Sequence, residues 1–150
     1  MQMSKPPRLA VRAVLVHDNR LLLVNAWRGR EDLWCAPGGG FDAHASLTDS
    51  LLREMMKETD LRVNIGPTCL VNEFNDEGRD YHQVDVYFRC TLAGGTLSND
   101  WEDPEGIVTN RKWVTRAEMA LMPVKPDSIA AVAWGDADAP SYDTLEPIVR

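Results

Sequence analysis

The residues best placed to do chemistry in this chain are two glutamates one helical turn apart, Glu54 and Glu58, preceded by the glycines Gly38, Gly39 and Gly40. On an open helix two carboxylates at i, i+4 repel each other by about 0.2–0.5 kcal/mol. A hard divalent cation between them reverses that sign. Mg²⁺ takes oxygen ligands and commonly binds through one or two carboxylates together with substrate phosphates. Glycines lack side chains, so the loop backbone can come close to a metal ion or a phosphate. The competing reading is a solvated charged face, with Glu54 and Glu58 paired to Arg53, Lys57 or Arg62, and the helix taken alone favours it. A glycine loop feeding directly into a helix with paired acids is a narrower signal and points to a metal–phosphate site. Lys57 stands out, because a metal site there would want another carboxylate.

These residues need a helix to carry them, and residues 46–60 supply it. Ser46 followed three positions later by Asp49 resembles a capping-box start. At ~100° per residue Leu51, Leu52, Met55 and Met56 fall on one side and pack on a core, while Glu54, Lys57 and Glu58 occupy another face. Before the helix, "RLAVRAVLVHD" and "LLLVNAW" read as a hairpin around the turn "DNR", with the second strand ending near Trp27. "LWCAP" is a short strand stopped by Pro37. After the helix, "RVNIGPTCLVNEFN" and "YHQVDVYFRCTL" read as strands separated by the turn "DEGRD", and "IVTNRKWVT" as a further strand. "RAEMALM" and "DSIAAVAW" are short helices broken by Pro123 and Pro126. The expected class is α/β, a sandwich with a mixed sheet, in a single domain over 1–150 with tails at 1–7 and about 136–150, the second extended or partly ordered.

The segment from Gly39 to Leu61 resembles the motif of the Nudix hydrolases: Gly, five residues, Glu, seven residues, then Arg-Glu-hydrophobic-any-Glu-Glu-any-Gly-hydrophobic. Gly39, Arg53, Glu54, Met55, Glu58 and Leu61 match. Ala45 stands for the first Glu, Lys57 for the first Glu of the pair, and Asp60 for the Gly. "LLLV", "LWCAPGGGF", "HQVDVYFRC" and "RKWVTRAEM" extend the likeness over most of residues 8–133. The resemblance implies an αβα sandwich and a hydrolase of nucleoside diphosphates linked to another moiety, using Mg²⁺ or Mn²⁺. It implies that Glu54, Glu58 and the Gly38 carbonyl bind metal and that Arg53 orients Glu54 by a charge-assisted hydrogen bond. The general base varies in that family. Glu105 in "EDPEGI" is the candidate, with Glu102 behind it; a solvated loop acid is the alternative.

The departures carry their own expectations. Asp60 can adopt the left-handed turn that the family's Gly makes. Ala45 removes a carboxylate and loosens metal binding. Lys57 changes the local charge by two units. Either it stands in for a second cation by contacting a substrate phosphate, or the chain is a weakened nucleotide-binding module of the same fold. Arg28 and Arg30, in the loop before the glycine strand, suit phosphate, with solvated loop arginines as the alternative. Trp27, Phe74, Tyr81 and Trp101 are open candidates for stacking on a base, and His82 is read as structural rather than as a proton shuttle.

The bulk properties set limits. An apolar share of 44% and a charged share of 26% are those of an ordinary globular chain. No segment approaches the ~20 apolar residues of a membrane helix, and "MQMSKPPR" lacks a signal peptide's apolar region, so a cytoplasmic home is expected. A net charge of −7 argues against non-specific nucleic-acid binding. Cys35, Cys69 and Cys90 form no Cys-x-x-Cys pair and read as reduced, buried thiols. The expected partner is a small nucleoside diphosphate derivative. A homodimer is common for the family that the chain resembles.

Overall fold

The computed structural model describes residues 3–135 and 140–148. The order is β1 (Arg8–His17), β2 (Arg20–Asn25), β3 (Trp34–Cys35), β4 (Gly38–Gly40), α1 (Leu47–Thr59), β5 (Arg62–Asp76), β6 (Tyr81–Gly94), β7 (Arg111–Val114), α2 (Arg116–Met119), α3 (Ile129–Trp134), β8 (Ser141–Tyr142) and β9 (Glu146–Pro147). The sheet is mixed: β1 runs parallel to β6, while β1–β2 and β5–β6 are antiparallel. The expected hairpin forms around Asp18 and Asn19, both at positive φ (49° and 59°), as a tight turn between twisted strands requires. Its second strand stops at Asn25 rather than near Trp27, because the Asn25 side chain donates to the Trp27 carbonyl at 2.7 Å and turns the chain into a loop.

Two apolar layers sandwich the sheet. Val11, Ala13 and Leu15 of β1 join Leu22, Phe88 and Cys90 beneath Leu51 and Met55 of α1. On the opposite face Val14, Leu70 and Tyr87 pack with Met119 of α2 and with Ile129 and Val132 of α3. Side chains alternate faces along a strand, so the register fixes what shares that second face. Arg8 pairs with Gln83, Ala10 with Asp85 and Arg12 with Tyr87. Across β5, Leu70 pairs with Tyr87, Asn72 with Asp85 and Phe74 with Gln83. Under the helices this face is apolar; beyond them it carries Arg8, Arg12, Gln83, Asp85 and Asn72.

On one side of β1 the neighbour changes. Ala10, Val11 and Arg12 pair with the glycines of β4, while Val16 and His17 pair with β2. That change of partner brings β4 against α1. The chain beyond α3 returns to the sheet: β8 and β9 add parallel to the edge of β5. The expected tail at 136–150 is thus partly strand, with residues 136–139 and 149–150 outside the described residues. Among the described residues no helix is long and apolar enough to cross a membrane.

Candidate functional site

Helix α1 begins as its sequence dictates. The Ser46 hydroxyl accepts from the Asp49 amide at 3.0 Å, satisfying one of the orphan donors of the first turn. It ends at Asp60, which takes the left-handed conformation (φ 57°) and donates its N–H to the Met56 carbonyl, the role expected of it in place of glycine. The face that the helix buries differs from the expected one. Leu51 and Met55 are fully buried, but Leu52 and Met56 are each 40% exposed, and Glu54 and Glu58 are buried to 6% and 7% exposure. The acids share the buried stripe instead of occupying a separate face, since 51, 54, 55 and 58 follow the i, i+3, i+4, i+7 spacing.

What receives the acids is the glycine strand. The Gly38 N–H donates to Glu58 Oε2 at 3.0 Å. Gly38 stands at φ +152°, and a β-carbon there would drive into the Val11 carbonyl oxygen. A β-carbon on Gly39 would lie 2.7 Å from Glu54 Oε2. These glycines are needed because strand and helix approach so closely that the carboxylates lie against bare backbone.

Glu54 and Glu58 have different charged neighbours. Arg53 Nη2 donates to Glu54 Oε1 at 3.2 Å, the contact expected of an orienting arginine, and Arg53 also pairs with Asp42. Lys57 Nζ lies 3.5 Å from Glu54 Oε1 and hydrogen-bonds Glu105 across the cleft. The hydrogen bond to Glu105, and after it Glu54, holds the Lys57 ammonium above its usual pKa. Burial pushes the Glu58 carboxyl up to about 8, against the pull of Arg12 and of the Gly38 N–H. Lys57 therefore bridges Glu54 and Glu105.

The two acids open onto a cleft of about 870 Å³. Arg28 lines it and donates to the Glu105 carbonyl at 2.9 Å. Arg30 does not line it; its guanidinium pairs with Asp32 two residues on, the cheaper local solution for an exposed loop arginine. Trp27, Phe74 and Tyr81 line the cleft. Trp101 does not, and its indole N–H donates to the Lys57 carbonyl at 2.7 Å. Glu102 is exposed and away from the cleft, and His82 lies 3.4 Å from Glu73.

Sequence reasoning missed the floor. Arg12 Nε lies 3.1 Å from Asp85 Oδ2, and Asp85 is wholly buried. Arg12 Nη1 donates to the Ala36 carbonyl at 2.8 Å, and Gln83 donates to Asp85 Oδ1 at 2.6 Å. A charge in the middle of the apolar strands "LAVRAVLV" and "QVDVYF" was the available signal, since such charges stay buried only when paired. Asp103 was missed as well. Its carboxylate accepts from the amides of Glu105, Ile107 and Val108 and so shapes the loop that presents Glu105. Arg111 does the same for α1, donating to the Glu58 carbonyl from a buried position.

The NUDIX domain model matches residues 6–135. The chain belongs to the NUDIX family. Among curated relatives, human diphosphoinositol polyphosphate phosphohydrolase 3-alpha is 30% identical over 96 residues, 64% of this chain and 55% of the relative. The mouse 3-alpha protein is 29% identical over the same share. The chain spans about half the length of the curated relatives it matches. Among solved structures, a mutator MutT protein from Bacillus halodurans superposes with a TM-score of 0.70 at 22% identity, covering 90% of this chain and 86% of that one. An ADP-ribose pyrophosphatase from Streptococcus suis gives 0.67 at 20% identity, covering 92% and 100%. At those identities the structural neighbours show the NUDIX fold, a mixed sheet between helices, as the sequence led us to expect.

Proposed function

We infer that this NUDIX chain is a metal-dependent hydrolase that cleaves a diphosphate linkage in a nucleoside diphosphate derivative, with water attacking phosphorus. The observation that carries the reading is the pair Glu54 and Glu58, both buried at the wall of a cleft and both against glycine backbone. A carboxylate as buried as Glu58, with the Gly38 N–H as its hydrogen-bond donor, is expensive to ionise without a countercharge. Two hard oxygen donors so placed fit Mg²⁺ or Mn²⁺, and in this reading Glu54, Glu58 and the Gly38 carbonyl hold the ion. When bound, the ion neutralises phosphate charge and lowers the pKa of a water.

The chain's own residues do the rest. Arg53 fixes the Glu54 carboxylate. Arg28 offers a guanidinium to a phosphate at the cleft wall. Glu105 accepts a proton from the attacking water once Lys57 turns from it to a substrate phosphate. That exchange is what makes Lys57 the stand-in for a second cation. A second reading, a nucleotide-binding module with weakened catalysis, is favoured by the same contact, because Lys57 engages the candidate base directly.

The experiment is a screen of nucleoside diphosphate derivatives with Mg²⁺ and Mn²⁺, scored for released nucleoside monophosphate or phosphate. Turnover that stops when the metal is chelated is expected. Binding without turnover selects the module.

A further inference from the structure

The chain after α3 builds part of the cleft. Residues 140–148 lie outside the stretch that the NUDIX model matches. They run along β5, with the Asp143 amide donating to the Val71 carbonyl and the Ile148 amide to the Asn75 carbonyl, each at 2.9 Å. One carboxylate oxygen fastens this strap in two directions. Asp143 Oδ2 accepts from Asn72 Nδ2 and from Ser128 Oγ, each at 2.7 Å. Asn72 is fully buried and directly opposite Asp85 in the register, so the strap is tied to the cleft floor. The strap then delivers Ile148 to the cleft, on the side where Phe74 also lines it.

Along β6 that end, at Tyr81, lies four residues from Asp85 of the cleft floor, roughly 13 Å at about 3.3 Å per residue. Around it stand Gln83, which accepts from Arg8 at 3.3 Å, and the Tyr81 hydroxyl. Apolar walls with a few fixed polar groups are the chemistry of a ring-binding pocket, in which a flat heterocycle stacks on the aromatic and finds hydrogen bonds at its edge.

We propose that the strap 140–148 is a specificity element: Ile148, held by Asp143 and facing the Phe74 side of the cleft, packs against the nucleobase of a bound nucleoside diphosphate. This rests on the reading of the cleft as a nucleoside diphosphate site and names which part of the ligand this segment recognises. The cost of losing Ile148 falls on ligands that carry a base and spares those that are phosphate alone.

The test is calorimetric titration of the full chain, with Mn²⁺ present, by ADP and separately by inorganic pyrophosphate, for wild type, Ile148→Ala and Asp143→Ala, with Tm measured alongside. Removing part of one apolar side chain from a ligand pocket costs about tenfold in affinity. Ile148→Ala should weaken ADP by about that factor and pyrophosphate by less than about twofold. Asp143→Ala, which frees the strap, should show the same selectivity; if its Tm shows an unfolded chain, Ile148→Ala decides alone. Equal losses for both ligands, or none for ADP, overturn the proposal. A wild type that binds ADP but hydrolyses no nucleoside diphosphate derivative ends the hydrolase reading and leaves the strap to be judged by these affinities. A wild type that binds neither ligand overturns both.

Discussion

The Lys57 ammonium hydrogen-bonds the Glu105 carboxylate across the cleft and lies 3.5 Å from Glu54. One side chain thus joins helix α1 to the loop opposite it. Both partners are partly exposed, Lys57 by 25% and Glu105 by 56%, so solvent screens the pair and its worth to stability is about 0–1 kcal/mol. Its effect is on the charge of the site. Lys57→Glu is expected to leave Tm within a few degrees and to increase the number of Mn²⁺ ions bound per chain, read by titration. An unchanged ion count together with an unchanged rate would remove the role given to Lys57.

Glu54→Gln and Glu58→Gln should each lower hydrolysis by about a hundredfold or more, as loss of a preorganised electrostatic group does. Mn²⁺ affinity should fall in parallel while the fold persists. A variant that keeps full Mn²⁺ affinity would take that carboxylate out of the site.

Gly39→Ala and Gly38→Ala separate function from folding. The new methyl at 39 meets the end of a side chain, Glu54 Oε2 at 2.7 Å, which must move. Metal affinity should drop with little change in Tm. The new methyl at 38 meets the Val11 backbone, so that variant should lose about 2 kcal/mol or more of stability in a denaturant titration. Equal stability losses for the two would contradict the packing described.

Arg12→Met strands a buried carboxylate at Asp85 and should cost about 3–5 kcal/mol. Arg12→Met combined with Asp85→Leu should recover most of that loss, because an apolar pair needs no countercharge. Denaturant midpoints of the single and double variants measure both. A double variant no more stable than the single would show that the pair is needed for more than charge balance.

Thiol chemistry gives a pH prediction. Burial raises Cys35 and Cys69 to about 11 and Cys90 to about 12. The thiolate is the reactive form and its share grows tenfold per pH unit below the pKa. Cys69 and Cys90 are buried, while Cys35, expected to be buried, is half-buried at the cleft; in the native chain Cys69 and Cys90 should react with a disulfide reagent much more slowly at pH 8 than in denaturant, and faster as pH rises toward 10. A fast native phase at pH 8 that persists in Cys35→Ser would contradict the burial of the other two.

The helix was legible because its signals are local. Ser46, the 3.6-residue period and Asp60 all act within one or two turns of the residues they govern. Which apolar pair faced the core was not, since Leu51/Met55 and Leu52/Met56 have the same spacing and only the sheet beneath decides between them. Arg12 and Asp85 are 73 positions apart and meet only through the parallel register of β1 and β6. Nothing near either residue announces the other. Arg30 shows the opposite case: its partner Asp32 is two residues away, a pairing that the short spacing made legible.

The exposed Leu52 and Met56 form a second greasy seam on α1, one residue, or about 100°, around from the seam in use. A helix that rolled onto that seam would still bury oil against oil, yet it would swing both acids into solvent. Leu51→Ala or Met55→Ala removes part of what holds the present seam in place, so either variant should weaken Mn²⁺ binding while the chain stays folded.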